Sequence, residues 1–356
     1  MDRKSLLFYV GTYADEAAPG IYLCRLDPAN GILTKMAEFA GGPNPSFLAL
    51  HPTGRYLYAV NETGTFHEQP GGGVSAFAIE PATGALTLLN QQSAHGEHPC
   101  HLTTDAQGRY ALVANYSSGS LAVYPLAPDG YYLAPASAVV QHHGQGPHPE
   151  RQAGPHAHGV QFDGQNRFAL VCDLGLDKVL TYRLDFEQGG LQLQGETHCA
   201  PGAGPRHLAF QPQGHCAYVI NELASTVTVL AYDGEQGRLT ELQTISTLPG
   251  GYADANICAE IAVHPAGKFV YASNRGHDSI AIYGVAADDG RLTLNRFEPT
   301  QGRAPRSFAI DPSGKFLIAA NQDSDDLVSF RLDAATGRLH YLQRLELPKP
   351  VCLKFW

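Results

Sequence analysis

Positive charge is scarce in this chain. Its 356 residues include 24 Lys and Arg against 34 Asp and Glu, a formal net charge of −10 at pH 7. That balance argues against a nucleic-acid partner or an anionic membrane surface. An anionic ligand would need a local basic site working against the overall field. Long apolar runs are also missing, and no stretch approaches the roughly 20 residues that a spanning helix needs. The run Leu6–Val10 follows Arg3 and Lys4 but soon meets Gly11 and Thr12, too early for a secretion signal. It reads as a strand, and the protein as cytoplasmic. The seven cysteines (24, 100, 172, 199, 216, 258, 352) are scattered and form no C-x-x-C pair. They fit buried free thiols better than disulfides or a zinc site. The only tryptophan is Trp356, which excludes a WD-type repeat with its Trp in each unit. No G-x-S-x-G, Walker or G-x-G-x-x-G motif occurs, so a serine nucleophile elbow and nucleotide binding lose their usual signatures. No useful window has the helical period.

Glycine (38) and proline (24) are plentiful, and they punctuate a repeat. Pro45-Ser-Phe-Leu-Ala-Leu-His-Pro-Thr-Gly54 leads into a second apolar run ending at Asn61, and Pro205-Arg-His-Leu-Ala-Phe-Gln-Pro-Gln-Gly214 into one ending at Asn221. The turn glycine recurs at Gly54, Gly108, Gly164, Gly214, Gly267 and Gly314, at intervals of 47 to 56 residues. The second run ends at Asn61, Asn115, Asp173, Asn221, Asn274 and Asn321. A third strand follows in each unit, then a turn at Gly84, Gly130, Gly190, Gly237, Gly290 or Gly337, then a fourth strand. Four short strands per roughly 50 residues is the period of a propeller blade. Six complete units run from Pro45 to about Glu346. Val351–Phe355 reads as the inner strand of a seventh, whose other strands are Leu6–Tyr13, Ile21–Asp27 and Leu33–Phe39. The expected fold is all-β: a seven-bladed β-propeller of four-stranded antiparallel blades, with the ring closed by a blade shared between the N- and C-termini. It forms a single domain over residues 1–356.

With the strands of a blade lettered a to d from the axis outward, the starts of a and the ends of b meet at one mouth of the central channel. Convergent polar groups belong there. Three residues into strand a the column reads Leu48, Leu102, His158, Leu208, Ile261 and Phe308, in which only His158 is polar. Two residues earlier it reads Ser46, Cys100, His156, Arg206, Ala259 and Arg306. After the residue that ends b come Glu62, Tyr116, Leu174, Glu222, Arg275 and Gln322. His158, Arg206, Glu222 and Arg275 therefore face one sector of the mouth. A carboxylate, two guanidiniums and an imidazole suit an anionic substrate and acid–base chemistry. A structural Arg206–Glu222 ion pair and a satisfied core His158 are the competing readings. The recurring Asn residues suit turn or inter-blade hydrogen bonds. The segment Val139–His158 carries His142, His143, His148, His156 and His158; it reads as a loop bordering the mouth rather than a metal site, because the spacing matches no ligand motif.

Gly202-Ala-Gly-Pro-Arg-His-Leu-Ala-Phe-Gln-Pro212, Tyr218-Val-Ile-Asn-Glu222, Ala259-Glu-Ile-Ala-Val-His-Pro265, Tyr271-Ala-Ser-Asn-Arg-Gly276 and Ala304-Pro-Arg-Ser-Phe-Ala-Ile-Asp-Pro-Ser-Gly314 resemble the propeller-type 6-phosphogluconolactonases. The resemblance covers essentially the whole chain. The same family includes the 3-carboxymuconate lactonizing enzymes, whose His, two Arg and Glu fall here on His158, Arg206, Arg275 and Glu222. The resemblance implies hydrolysis of a sugar δ-lactone, 6-phosphoglucono-1,5-lactone, with Glu222 or His158 as general base and Arg206 and Arg275 binding the anion and the oxyanion. It implies no metal and no cofactor. His156, His207, Glu260, Asn274 and Arg306 are the expected further substrate-binding residues. The expected partner is a small anionic sugar lactone, and the expected assembly a monomer or weak homo-oligomer. The alternatives are a cycloisomerase or lactonase acting on a carboxymuconate-type lactone, and a non-catalytic propeller that serves as a binding platform.

Overall fold

The computed structural model describes residues 6–15 and 17–356; Arg3 and Lys4, which bear on the secretion-signal reading, lie outside them. Seven four-stranded antiparallel sheets succeed one another along the chain. Blade 1 joins Leu6–Thr12, Pro19–Leu26 and Leu33–Ala40 to the C-terminal strand Pro350–Phe355. Blade 2 holds Leu48–Leu50, Tyr56–Asn61, Gly73–Ile79 and Leu86–Ser93, and blade 3 Pro99–Thr104, Tyr110–Asn115, Ser120–Pro125 and Ala138–Gln141. Blade 4 holds Ala157–Phe162, Ala169–Asp173, Lys178–Leu184 and Leu191–His198, and blade 5 Pro205–Phe210, Cys216–Asn221, Thr226–Asp233 and Arg238–Ser246. Blade 6 holds Ile257–Val263, Phe269–Arg275, Ser279–Val285 and Leu292–Pro299, and blade 7 Pro305–Ile310, Phe316–Asn321, Asp326–Leu332 and Leu339–Glu346.

The shared blade forms as expected. Val10 pairs with Leu353 and Phe8 with Phe355, so the termini leave no open inner edge for another chain to pair with. Strands b and c are mostly buried, and their branched and aromatic residues interlock between neighbouring blades. Buried tyrosines on strand b tie four of the blades to the next. Tyr9, Tyr218 and Tyr271 donate to the carbonyls of Gly84, Gly290 and Gly337, and Tyr58 to that of Tyr131. Trp356 Nε1 donates to Gly54 O across the closure, and His51 and His264 donate to Gly108 O and Gly314 O in the same relation.

Three turns depart from the expected glycine register. The left-handed residue of the a–b turn is Gly at 54, 108, 214, 267 and 314, but in blade 4 it is Asn166 (φ 59°) and not Gly164. Asn tolerates that conformation, and its side chain bonds across to blade 3, accepting from the Ala106 amide and donating to Gln107 Oε1. In the c–d turns Tyr131 (φ 52°) and Gly189 (φ 71°) hold the place assigned to Gly130 and Gly190. The blade 4 departure has a consequence for the site. Val160 pairs with Val171 as Leu208 pairs with Val219, so Val160 continues the apolar column and His158 does not interrupt it. His158 sits two residues earlier, level with Ser46, Cys100, Arg206, Ala259 and Arg306.

Candidate active site

The corrected register moves His158 to the lip of the mouth, beside the position of Arg206. There it joins the other three expected residues, all aimed at Glu222. Arg206 Nε and Arg275 Nη2 donate to Glu222 Oε2 at 3.1 and 2.8 Å, and His158 Nε2 lies 3.9 Å from the same oxygen. Arg206 and Arg275 are further fixed by Ala259 O and Cys258 O, at 2.7 and 2.8 Å. His158 Nδ1 faces the Cys100 thiol at 3.7 Å. Each side chain is delivered by the lip of a strand, so the rigid inner wall of blades 4, 5 and 6 sets the geometry.

A fifth residue completes the carboxylate, and the repeat gave no sign of it. Arg151 Nη2 donates to Glu222 Oε1 at 2.5 Å and to Tyr116 Oη at 3.3 Å. Arg151 belongs to the loop between blades 3 and 4, outside any repeated position, so no column could reveal it. A second carboxylate, Glu62, lies at the mouth as well. Tyr13 donates to both its oxygens and Ser46 to Oε2. Glu62 stood in the column after strand b, but its two hydroxyl partners come from different blades. Arg306 rests over the Tyr13 ring at 5.1 Å.

Electrostatics assign the protonation states. Burial alone would raise Glu222, but Arg275, Arg206, His158 and Arg151 outweigh it and hold the carboxyl far below the usual carboxylate range. Burial, reinforced by Arg206 and His207, pushes His158 well below the ordinary imidazole value, although Glu222 pulls the other way. At neutral pH the site therefore pairs an ionised carboxylate with a neutral imidazole. Burial also lowers Arg275, against the pull of Glu222; a guanidinium still keeps its charge at neutral pH. Its Nε is buried with no hydrogen-bond partner, which leaves a donor unspent.

Through Arg275 the cluster adjoins a cavity of about 340 Å³ lined also by Ile257, Asp278, Arg303, Ala304, Arg306, Gln322 and Asp323. That volume falls within the range of small-molecule sites, and three arginines and two aspartates line it.

Of the further expected residues, Arg306 lies in this cavity. His156 stands at the rim, stacked on Tyr116 at 4.5 Å and donating to its carbonyl. The other three lie elsewhere. Asn274 is fully buried; it donates to Thr247 O and Ser279 Oγ, and its oxygen accepts from Thr247, Asn256 and Cys258. It has nothing left for a ligand, which matches the hydrogen-bonding reading of these Asn positions. His207 and Glu260 sit one layer deeper. His207 Nδ1 donates to Glu260 Oε1 at 3.0 Å, while its ring lies against the Arg206 guanidinium. Both line a separate cavity of about 730 Å³ that runs to Gly164 and Pro212, a–b turn residues on the opposite face. Alternation along strand a explains the misplacement: each follows a lip residue by one position. Two of the loop histidines are engaged in structure. His142 bonds Asp173 Oδ2 and Tyr182 Oη at 2.6 and 3.0 Å, and His148 Nδ1 accepts from the amides of Glu150 and Arg151.

Comparison with known proteins adds an independent line. A family model described as lactonase, 7-bladed β-propeller, matches residues 7–355. The chain is 39% identical to a 6-phosphogluconolactonase of Bacillus subtilis, over 98% of this chain and 97% of that one. It is 35% identical to a 6-phosphogluconolactonase of Formosa agariphila, over 85% of both chains. Among solved structures, a periplasmic gluconolactonase of Pseudomonas aeruginosa superposes with a TM-score of 0.91 at 34% identity, covering 99% of each chain.

Proposed function

The chain belongs to the lactonase family of seven-bladed β-propellers and is by that kinship a sugar-lactone hydrolase; from this premise we propose that it opens 6-phosphoglucono-1,5-lactone to 6-phosphogluconate, a step of the pentose phosphate pathway. The observation that carries the reading is the cavity walled by Arg275, Arg303 and Arg306, in which Arg275 also holds the ionised Glu222 beside a neutral, buried imidazole. The lactone ring enters against Arg306 and Arg303, and its C1 carbonyl is turned toward Arg275. His158 takes a proton from water as the water oxygen bonds to C1. The carbonyl electron pair moves to oxygen, where Arg275 Nε and Arg206 meet the developing charge. Collapse breaks the bond from C1 to the ring oxygen, and His158 returns its proton to that oxygen. Glu222 holds both guanidiniums in place and stabilises the transient imidazolium; flanked by arginines, it is too weak a base to take the proton itself. The seven buried, unpaired cysteines support a reducing, cytoplasmic setting.

Kinship to the gluconolactonase of P. aeruginosa favours a second reading, in which unphosphorylated glucono-1,5-lactone is the substrate. Both lactones hydrolyse unaided, so the test is the rate above background on each, followed by acid release at constant pH. Faster opening of the phosphorylated lactone supports the proposal. Preference for glucono-1,5-lactone favours the second reading, and no acceleration of either overturns both.

A further inference from the structure

Three guanidiniums share the Glu222 carboxylate, but they are not equivalent. Arg206 and Arg275 hold Oε2 and are locked by backbone carbonyls, with side chains 3% and 11% exposed. Arg151 alone holds Oε1, and its side chain is 35% exposed. It is the most exposed of the three.

The backbone that carries Arg151 is anchored. Its amide donates to His148 Nδ1. The next residue, Gln152, is fully buried, and its side chain donates to Leu174 O and Asp177 Oδ1 and accepts from the His148 amide. Beyond it, His156 is held by its amide to Asp173 and by its ring to Tyr116. Movement at this point belongs to the Arg151 side chain, not to the loop. The Tyr116 hydroxyl, in a ring clamped by His156, gives the guanidinium a second perch.

We infer that Arg151 recognises the anionic substituent of the substrate: it exchanges Glu222 Oε1 for a phosphate oxygen as the lactone binds. The inference rests on the sugar-lactone reading of the Glu222 cluster. Chemistry favours the exchange. Glu222 keeps two guanidiniums after losing the third, so its charge stays compensated. A phosphate dianion presents the planar fork of an arginine with paired oxygens, which a neutral hydroxymethyl group does not. Without an anionic ligand Arg151 covers Glu222, and with one it becomes part of the binding pocket. The site would thus discriminate a phosphorylated lactone from a neutral one through a residue that lies outside the propeller repeat.

The test compares 6-phosphoglucono-1,5-lactone with glucono-1,5-lactone in wild type, Arg151→Ala and Arg151→Lys. The ratio of kcat/KM for the two lactones should fall at least tenfold in Arg151→Ala, chiefly through KM for the phosphorylated lactone. Lysine, a point charge without the fork, should restore only part of it. A ratio within twofold of wild type in Arg151→Ala would overturn the inference. A product arm separates this from failure of the parent reading. Thermal stabilisation by 6-phosphogluconate over gluconate should be lost in Arg151→Ala whether or not the wild type turns over a lactone; equal stabilisation in both proteins counts against Arg151, whereas a wild type that opens neither lactone counts against the hydrolase reading.

Discussion

Glu222→Gln is the sharpest perturbation of the site, because it keeps the shape and removes the charge. The carboxylate oxygen lies 3.9 Å from His158 Nε2. At an effective dielectric of about 20, a carboxylate and an imidazolium about 4 Å apart attract by ~4 kcal/mol. That attraction exists only after His158 has taken the proton, so it lowers the barrier rather than the ground state. At about 1.4 kcal/mol per decade it amounts to about 10³ in rate. Arg151, Arg206 and Arg275 already draw on the same carboxylate, so the expected loss in kcat is about 10²- to 10³-fold. Loss of the charge also removes a main influence that raises His158, so the acid limb of the pH–rate profile should move to lower pH. The assay is initial-rate hydrolysis from pH 5 to 8 on protein shown to be folded by circular dichroism. A kcat within threefold of wild type, or an acid limb displaced upward, would refute the pairing of an imidazole base with an ionised Glu222.

Stability should fall on mild acidification. Burial holds His101, His158 and His207 well below the ordinary imidazole value in the folded chain, whereas unfolded histidines take up protons near pH 6.5. The unfolded state then binds more protons below pH 6.5. The slope approaches about 1.4 kcal/mol per pH unit for each group, or about 5 °C in Tm per pH unit for three in a chain of this length. Glu260, which burial raises, opposes this with a single group. Melting curves from pH 7 to 5 should show the fall, and His101→Phe should remove about a third of it. His142→Ala breaks a fully buried pair with Asp173. It should lower stability by about 3–5 kcal/mol by denaturant titration and weaken the preference for phosphorylated lactone by loosening the loop that carries Arg151. Truncation after Lys349 removes the inner strand of blade 1, with Val351, Cys352 and Leu353 buried. It exposes the edge of Leu6–Thr12 and should give aggregated protein; a soluble monomer on size exclusion would argue against closure by the shared blade.

The architecture was readable in the sequence because each blade solves the same physical problem in the same way. Alternating branched and aromatic runs, a left-handed turn residue and a terminal Asn recur, so errors in one blade can be checked against six others. The site was readable only where it occupies repeated positions. Arg206, Glu222 and Arg275 sit at the lip in register, and the columns found them. His158 was found from a register two residues out: Gly164 drew the alignment, although Asn166 makes the turn. The error was harmless because the register shift between Ala157 and Gly159 still delivers His158 to the lip. A shift of one is not harmless, as His207 and Glu260 show. They adjoin lip residues yet open to the opposite half of the channel. Arg151 left no pattern, because its position follows from tertiary anchoring of a unique loop.

The departures of blade 4 from the repeat have a common physical cause. In blades 2, 3, 6 and 7 the residue ending strand b is an Asn whose amide donates to a carbonyl of the preceding loop, at Gly41, Ala94, Thr247 and Thr300. Blade 4 has Asp173 there. Its carboxylate accepts from the His142 ring and from the amides of His156 and Leu176. An Asn in this setting would turn a donor toward one of these donors. The Asp therefore inverts the polarity of the junction, so that a longer loop is gripped at both ends, by the His142 side chain and the His156 amide. Between those grips lie Gln152, buried in the body of the blade, and Arg151, left to reach across to Glu222. A regular blade could place an arginine only at its lip, where Arg206 and Arg275 already stand. Breaking the repeat at Asp173 is what brings a third, more exposed guanidinium to the same carboxylate from outside the ring of lips, and makes that guanidinium the one free to turn toward a ligand.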